Sequence, residues 1–203
     1  MTPLVVPGVP VEDRRHSRVL QSPLACGRSA VMLHYDDSTR DDWAVEWFDD
    51  PRCHNGYTWL VLDDGSVVEL ADPALRTPHA GPCREPNANS RFYGLSAATN
   101  GLVPATPAQL AAIVATCVAL FRFHVWRPEE VVARIQGHDA QAVWPPAYTR
   151  AAGLSDATGF ARWGKLGRKV DPTGVRKDRR PIIDVNQVRA AVAAALHDWG
   201  RHP

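Results

Sequence analysis

The sequence predicts a mixed α/β (α+β) fold, with a single central mixed β-sheet and helices packed on its faces. Three features point there. Apolar runs of strand length recur at 30–35, 57–62, 66–70 and 92–98, and apolar residues return at helical spacing from residue 106 and again from residue 184. Strands and helices also follow one another without the strict alternation of a doubly wound parallel sheet. The chain has 203 residues, 45% of them hydrophobic and 22% charged, which is ordinary globular composition and enough length for one core.

Residues 1–28 are proline-rich and polar and are read as an irregular N-terminal arm, leaving 29–203 as one domain. Ala30-Val-Met-Leu-His-Tyr35 is a short apolar run of the kind buried in a sheet. Residues 40–49 place Trp43, Val45, Trp47 and Phe48 as a short amphipathic helix would. Tyr57–Leu62 and Ser66–Leu70 are joined by Asp63-Asp64-Gly65, a hairpin signal, because glycine readily takes the positive φ of such turns. Phe92–Ala98 reads as another strand. Thr106 is a helix cap, Pro107 fits the first helical position, and Gln109 completes a capping box. Leu110, Ile113, Val114, Cys117, Val118 and Phe121 then form an apolar face. Arg127–Ile135 reads as a short helix running toward Gly137-His138, and residues 141–168 as a long surface insertion. Asp184, with Gln187 three residues on, caps a last helix carrying Val188, Val192, Leu196 and Trp199.

Composition narrows the function. Lys+Arg 23 against Asp+Glu 22 leaves a formal net charge of +1, which argues against a nucleic-acid partner. No apolar run reaches the eighteen or more residues of a membrane span, so no membrane partner is expected, and the chain is taken as a monomer. The N-terminal apolar stretch is broken by Pro3, Pro7 and Pro10 and has no basic segment ahead of it, so no signal peptide and synthesis in the cytoplasm are expected. Cys26, Cys53, Cys83 and Cys117 form no CxxC pair, which excludes a zinc ribbon or thioredoxin-type site; free thiols suit a reducing compartment, although Cys53 and Cys83 could pair if adjacent.

Eight histidines raise the question of a metal. His16, His54, His124, His197 and His202 sit in arm, turn, helix-end or tail settings where a surface or structural imidazole is the simpler reading. His34, on an interior strand, has to satisfy both ring nitrogens, and ligation by one with donation from the other is a compact solution. His138 stands where a helix gives way to a loop, and His79 lies in the loop Thr77-Pro-His-Ala-Gly81. A hydrogen-bonded core histidine accounts for any one of these alone. In Gly167-Arg-Lys-Val-Asp-Pro-Thr-Gly174, Asp171 precedes a proline that biases it toward extended backbone, and Lys169 shares its face by the two-residue alternation. That string is either a basic turn or an oxygen ligand beside a catalytic lysine.

Taken in order, these residues resemble the type 2 N-acetylmuramoyl-L-alanine amidases, the family of phage lysozyme-like amidases, muropeptide-recycling amidases and peptidoglycan recognition proteins. The resemblance covers roughly residues 29–199. Val31-Met-Leu-His34 resembles the first strand ending in a zinc ligand, and Gly56-Tyr57-Thr-Trp-Leu-Val-Leu-Asp-Asp-Gly65 the GYHF-type strand and hairpin. His79-Ala-Gly81 is similar to the HAG loop, Asn89 with Tyr93-Gly-Leu-Ser96 to the N…SIGI stretch, and Thr106-Pro-Ala-Gln-Leu110 to the TPAQ helix start. Gly137-His138 resembles the second ligand, and Lys169-Val-Asp-Pro-Thr-Gly174 the closing K-x-DPG motif.

The resemblance implies Zn2+ held by His34, His138 and Asp171, with Tyr57 and Lys169 catalytic and His79, Asn89 and Thr58 on the substrate side. Two imidazoles and one carboxylate suit a catalytic zinc, since a fourth position stays open for water. It also implies hydrolysis of the amide between N-acetylmuramic acid and L-alanine, with bacterial peptidoglycan as partner. Recycling members carry Glu where Ser96 stands here, so the tyrosine-plus-lysine pairing points to a phage endolysin, released to the wall through a holin-made lesion. A peptidoglycan recognition module that binds without cutting and a cytosolic recycling amidase are the alternatives, with an unrelated domain bearing structural histidines behind them.

Overall fold

A computed structural model of the chain describes residues 8, 11–13, 21–36, 41–50, 53, 56–80, 83–99, 102–138 and 181–199. Lys169, Asp171 and the 141–168 insertion lie outside the described residues. In chain order the elements are β1 (Val11–Asp13), β2 (Ala30–Tyr35), α1 (Asp41–Asp49), β3 (Trp59–Val61), β4 (Val67–Glu69), α2 (Ala88–Arg91), β5 (Phe92–Ala97) and α3 (Pro107–His124). A 3₁₀ turn at Pro128–Glu130, α4 (Val131–Arg134), β6 (Ile135–Gly137) and α5 (Val185–Trp199) follow.

Six strands form one sheet in the order β1-β4-β3-β5-β2-β6. β2 runs parallel to β5 and to β6, β3 parallel to β5, and only the β3–β4 hairpin is antiparallel, so the sheet is mixed as expected. The hairpin turns where Asp-Gly predicts it: Gly65 has φ 88°, and Asp64 Oδ1 accepts the Ser66 amide at 2.8 Å. Two segments differ from the sequence expectation. Val11–Asp13, within the supposedly irregular arm, pairs with β4 in parallel, covering an edge whose backbone groups need partners. Ile135–Gly137, where the expected helix ends at Ile135 and runs toward Gly137, is a strand on the opposite edge beside β2. A three-residue segment, Ile-Gln-Gly, carries no periodicity that separates the two states; the open edge of β2 decides it.

Strand alternation divides the core. Val31, Leu33, Trp59, Val61, Tyr93, Leu95 and Ala97 point to the face covered by α3 and α5, where they meet Ile113, Cys117, Leu120, Phe121, Val188 and Val192. α3 is long and apolar enough to cross a bilayer by length and composition alone, yet it is this main core helix that it forms. The other face carries two smaller clusters. One packs Val45 and Phe48 of α1 on Leu60 and Val68; the other packs Ala30 and Met32 on Ala80, Ala88 and Phe92. By the same alternation His34 of β2, Gly94 and Ser96 of β5 and Thr58 ahead of β3 belong to that second face. None of the four cysteines is in a disulfide, and Cys53 and Cys83 sit in different clusters.

Candidate active site

His34 is the fifth residue of β2 and is fully buried. In the parallel register Leu33 pairs with Gly137, so the next residues along the two strands, His34 and His138, come together. Their ring centroids lie 4.6 Å apart. The structure thus unites the two expected imidazole ligands across more than a hundred residues of sequence. Asp171, the expected third ligand, and Lys169 lie outside the described residues. Among the described residues no group of three His, Cys, Asp or Glu side chains is placed to hold a metal ion.

The hydrogen bonds around the rings specify their tautomers. His138 Nε2 lies 2.7 Å from the Ala80 carbonyl, which can only accept, so Nε2 donates. His79 Nε2 lies 3.1 Å from the Phe92 carbonyl and donates for the same reason. Burial first, then the fields of His34, Arg28 and His138, hold the His79 pKa well below the usual imidazole value. A neutral imidazole carries one N–H, here given to Phe92, so Nδ1 of His79 accepts. His34 Nε2, 3.0 Å from that Nδ1, is therefore the donor. In both His34 and His138 the proton sits on Nε2, and Nδ1 is the nitrogen that bears the electron pair in the neutral ring.

The acceptors come from one short loop. Asn89 Oδ1 accepts the backbone amides of His79 at 3.0 Å and Ala80 at 2.7 Å, fixing the segment that supplies His79 Nδ1 to His34 and the Ala80 carbonyl to His138. Behind it, the Arg28 guanidinium donates to the carbonyls of Pro73, Leu75, Asn89 and Phe92 and lies over the Tyr93 ring at 4.7 Å. Desolvation lowers its pKa to about 10, which leaves it charged near neutrality. Arg28 therefore ties down the same Phe92 carbonyl that receives the His79 proton. Nothing in the sequence marks it, since it closes a segment read as arm.

Tyr57 is half-buried, with its ring 5.0 Å from His34 and edge-on to Phe48 at 5.6 Å. The structure places it beside the imidazole pair. The residues expected on the substrate side lie close to the imidazole pair or to the loop that serves it. His79 is 8% exposed with both ring nitrogens engaged in the interior. Thr58 is fully enclosed, its hydroxyl without a hydrogen-bond partner among the described residues, and Asn89 turns its side-chain oxygen to the His79 loop. Ser96, level with His34 in the sheet, is also fully buried. A cleft of about 420 Å³ lined by Ser22, Arg76, Glu85 and Asn87 reaches this machinery through Ala88, Asn89 and Cys83, whose thiol donates to the Ala80 carbonyl at 3.1 Å; His34, His138 and Tyr57 do not line it.

A search among curated proteins gives no significant match. Among solved structures, a mutant endolysin from Bacillus subtilis is 13% identical with a TM-score of 0.54, over 72% of this chain and 99% of that one. An endolysin N-acetylmuramoyl-L-alanine amidase from Clostridium intestinale is 16% identical with a TM-score of 0.52, over 71% and 94%. The Staphylococcus aureus hydrolase AmiA, solved with its ligand, is 13% identical with a TM-score of 0.52, over 73% and 78%. At these identities the likeness is one of fold. The family model described as N-acetylmuramoyl-L-alanine amidase matches residues 27–173, which spans β2, both imidazoles and the Lys169–Asp171 motif, and by that match the chain belongs to the N-acetylmuramoyl-L-alanine amidase family.

Proposed function

We propose that this member of the peptidoglycan amidase family is a zinc-dependent hydrolase of the bond between N-acetylmuramic acid and L-alanine, and serves as the catalytic domain of a phage endolysin. The observation that carries the reading is the pairing of His34 with His138, each with Nε2–H committed to a protein acceptor and Nδ1 as its electron-pair donor. That donor set suits Zn2+, with Asp171 as the carboxylate that completes it. When bound, zinc lowers the pKa of a water to about 7 and polarises a carbonyl.

The chain's own groups supply the rest. Tyr57, beside His34, hydrogen-bonds the attacking water and steers a proton toward the leaving amine of L-alanine. Lys169, as an ammonium, stabilises the negative charge that develops on the scissile carbonyl oxygen. Ser96 has no carboxylate to offer as a general base, which favours the endolysin over a recycling enzyme. In this reading the protein acts as a monomer, is made in the cytoplasm of the host and reaches the wall after holin-type release.

Digestion of purified sacculi, followed by mass spectrometry, tests this. Free glycan strands and intact stem peptides are expected; cut cross-links or new sugar reducing ends reject the cleavage site. Turnover of soluble anhydro-muropeptides with no attack on sacculi would favour the recycling role, and binding without any cleavage the recognition module. Lys169→Ala and Tyr57→Phe should each lose most activity while still binding zinc stoichiometrically, and near-normal turnover by either variant removes the role given to it.

A further inference from the structure

Three buried groups form a directed chain: the His34 ring donates to His79, which donates to the Phe92 carbonyl, itself held by Arg28. With its single N–H given to a carbonyl that can only accept, a neutral His79 ring has only the Nδ1 lone pair left for His34, which sets the direction of both links. The His79 ring meets the His34 ring edge-on, with centroids 5.2 Å apart, and it occupies space that β5 leaves open. A Cβ at position 94 would stand 2.8 Å from its Cγ, so only glycine there admits the imidazole. Both ring nitrogens of this histidine are engaged inside the protein.

We propose that His79 is a positioning residue: it locks His34 in the Nε2–H tautomer and so presents Nδ1 of His34 as the metal-binding atom. The Ala80 carbonyl does the same for His138. Adjacent residues of one loop, clamped together by Asn89, thereby orient both imidazoles. A ring without such an acceptor divides its population between tautomers and orientations, and a partner of this kind is worth roughly 10–100-fold in metal affinity. The metal half of the inference rests on the zinc reading above, whereas the tautomer half is measurable without metal.

The test uses the full chain, labelled with 15N at histidine and freed of metal. Long-range proton–nitrogen spectra should show His34 of the wild type protonated at Nε2 and bare at Nδ1; a proton on Nδ1 overturns the proposal whatever the variants do. His79→Leu, which removes the acceptor at similar bulk, should give His34 a mixture of tautomers. It should also weaken Zn2+ binding roughly 10–100-fold in chelator competition. His79→Asn sets an oxygen near the place of Nδ1 and should restore both the single tautomer and most of the affinity. Equal affinity in wild type and His79→Leu, or no rescue by Asn, defeats the positioning role. A wild type that shows the expected tautomer yet binds no Zn2+ defeats the zinc reading and leaves the tautomer assignment standing, so the two failures are told apart.

Discussion

A methyl group at position 94 would collide with the His79 ring, 2.8 Å from Cγ and 3.1 Å from Nδ1. The backbone there is ordinary strand, so the cost is steric rather than conformational. Gly94→Ala should destabilise the protein by about 1–3 kcal/mol, the usual range for overpacking, and should weaken metal binding by displacing the acceptor of His34. Denaturant midpoints and chelator competition measure the two effects, and an alanine variant matching the wild type in both would show that the ring can yield. The sequence makes His34, His79 and His138 visible as candidates, and motif order separates them from the other five histidines. It does not show that His79 turns inward. That depends on where its two ring nitrogens find partners, and those partners, His34 and the Phe92 carbonyl, lie 45 and 13 residues away.

At the scale of elements, the start of α3 is the clearest case of local sequence specifying local structure. The Thr106 hydroxyl accepts the Gln109 amide at 3.0 Å and the Gln109 side chain accepts the Thr106 amide at 2.9 Å, the reciprocal cap that Thr-Pro-Ala-Gln predicts. Gln109 does more than the motif says. It is fully buried, and its Nε2 donates to the carbonyls of Val61 and Ala98, fastening the helix to the ends of β3 and β5. Thr106→Ala should therefore cost about 1 kcal/mol. Gln109→Ala should cost more, because it strands buried polar groups that each carry a penalty of roughly 1–3 kcal/mol. Chemical denaturation ranks the two, and a milder Gln109 variant would contradict the bridging role. β6 is the converse: its three residues have no pattern of their own, and the free edge of β2 makes them a strand.

For the molecule as a whole, acid should loosen the structure partly through His124. Its Nε2 lies 2.9 Å from the Tyr93 hydroxyl and its ring stacks on Trp126 at 4.5 Å, with Arg134 over Trp126 and Arg28 over Tyr93. Burial first, and then Arg134 and Arg28, lower its pKa. Below about pH 6.5, the ordinary imidazole value, the unfolded chain takes up a proton there that the native chain resists. Stability from this group is thus present above that pH and is lost as pH falls toward the depressed native pKa. His124→Gln should flatten part of the decline in melting temperature between about pH 7 and pH 5. An unchanged slope would remove His124 from the account.

The sequence by itself determined the mixed sheet, most of its strands and helices, the capping box, the Asp-Gly hairpin and the order of family motifs. Each of these rests on neighbours within a few positions, where period, propensity and turn chemistry act directly. Tertiary structure alone decided the sheet role of Val11–Asp13, the facing of His34 and His138, the inward turn of His79 and the service of Arg28 to four distant carbonyls. Those outcomes answer to a cost that acts across the interior: a buried polar group left without a partner costs free energy. Which partner it finds depends on strand register between segments some sixty to a hundred residues apart, and no local pattern encodes that.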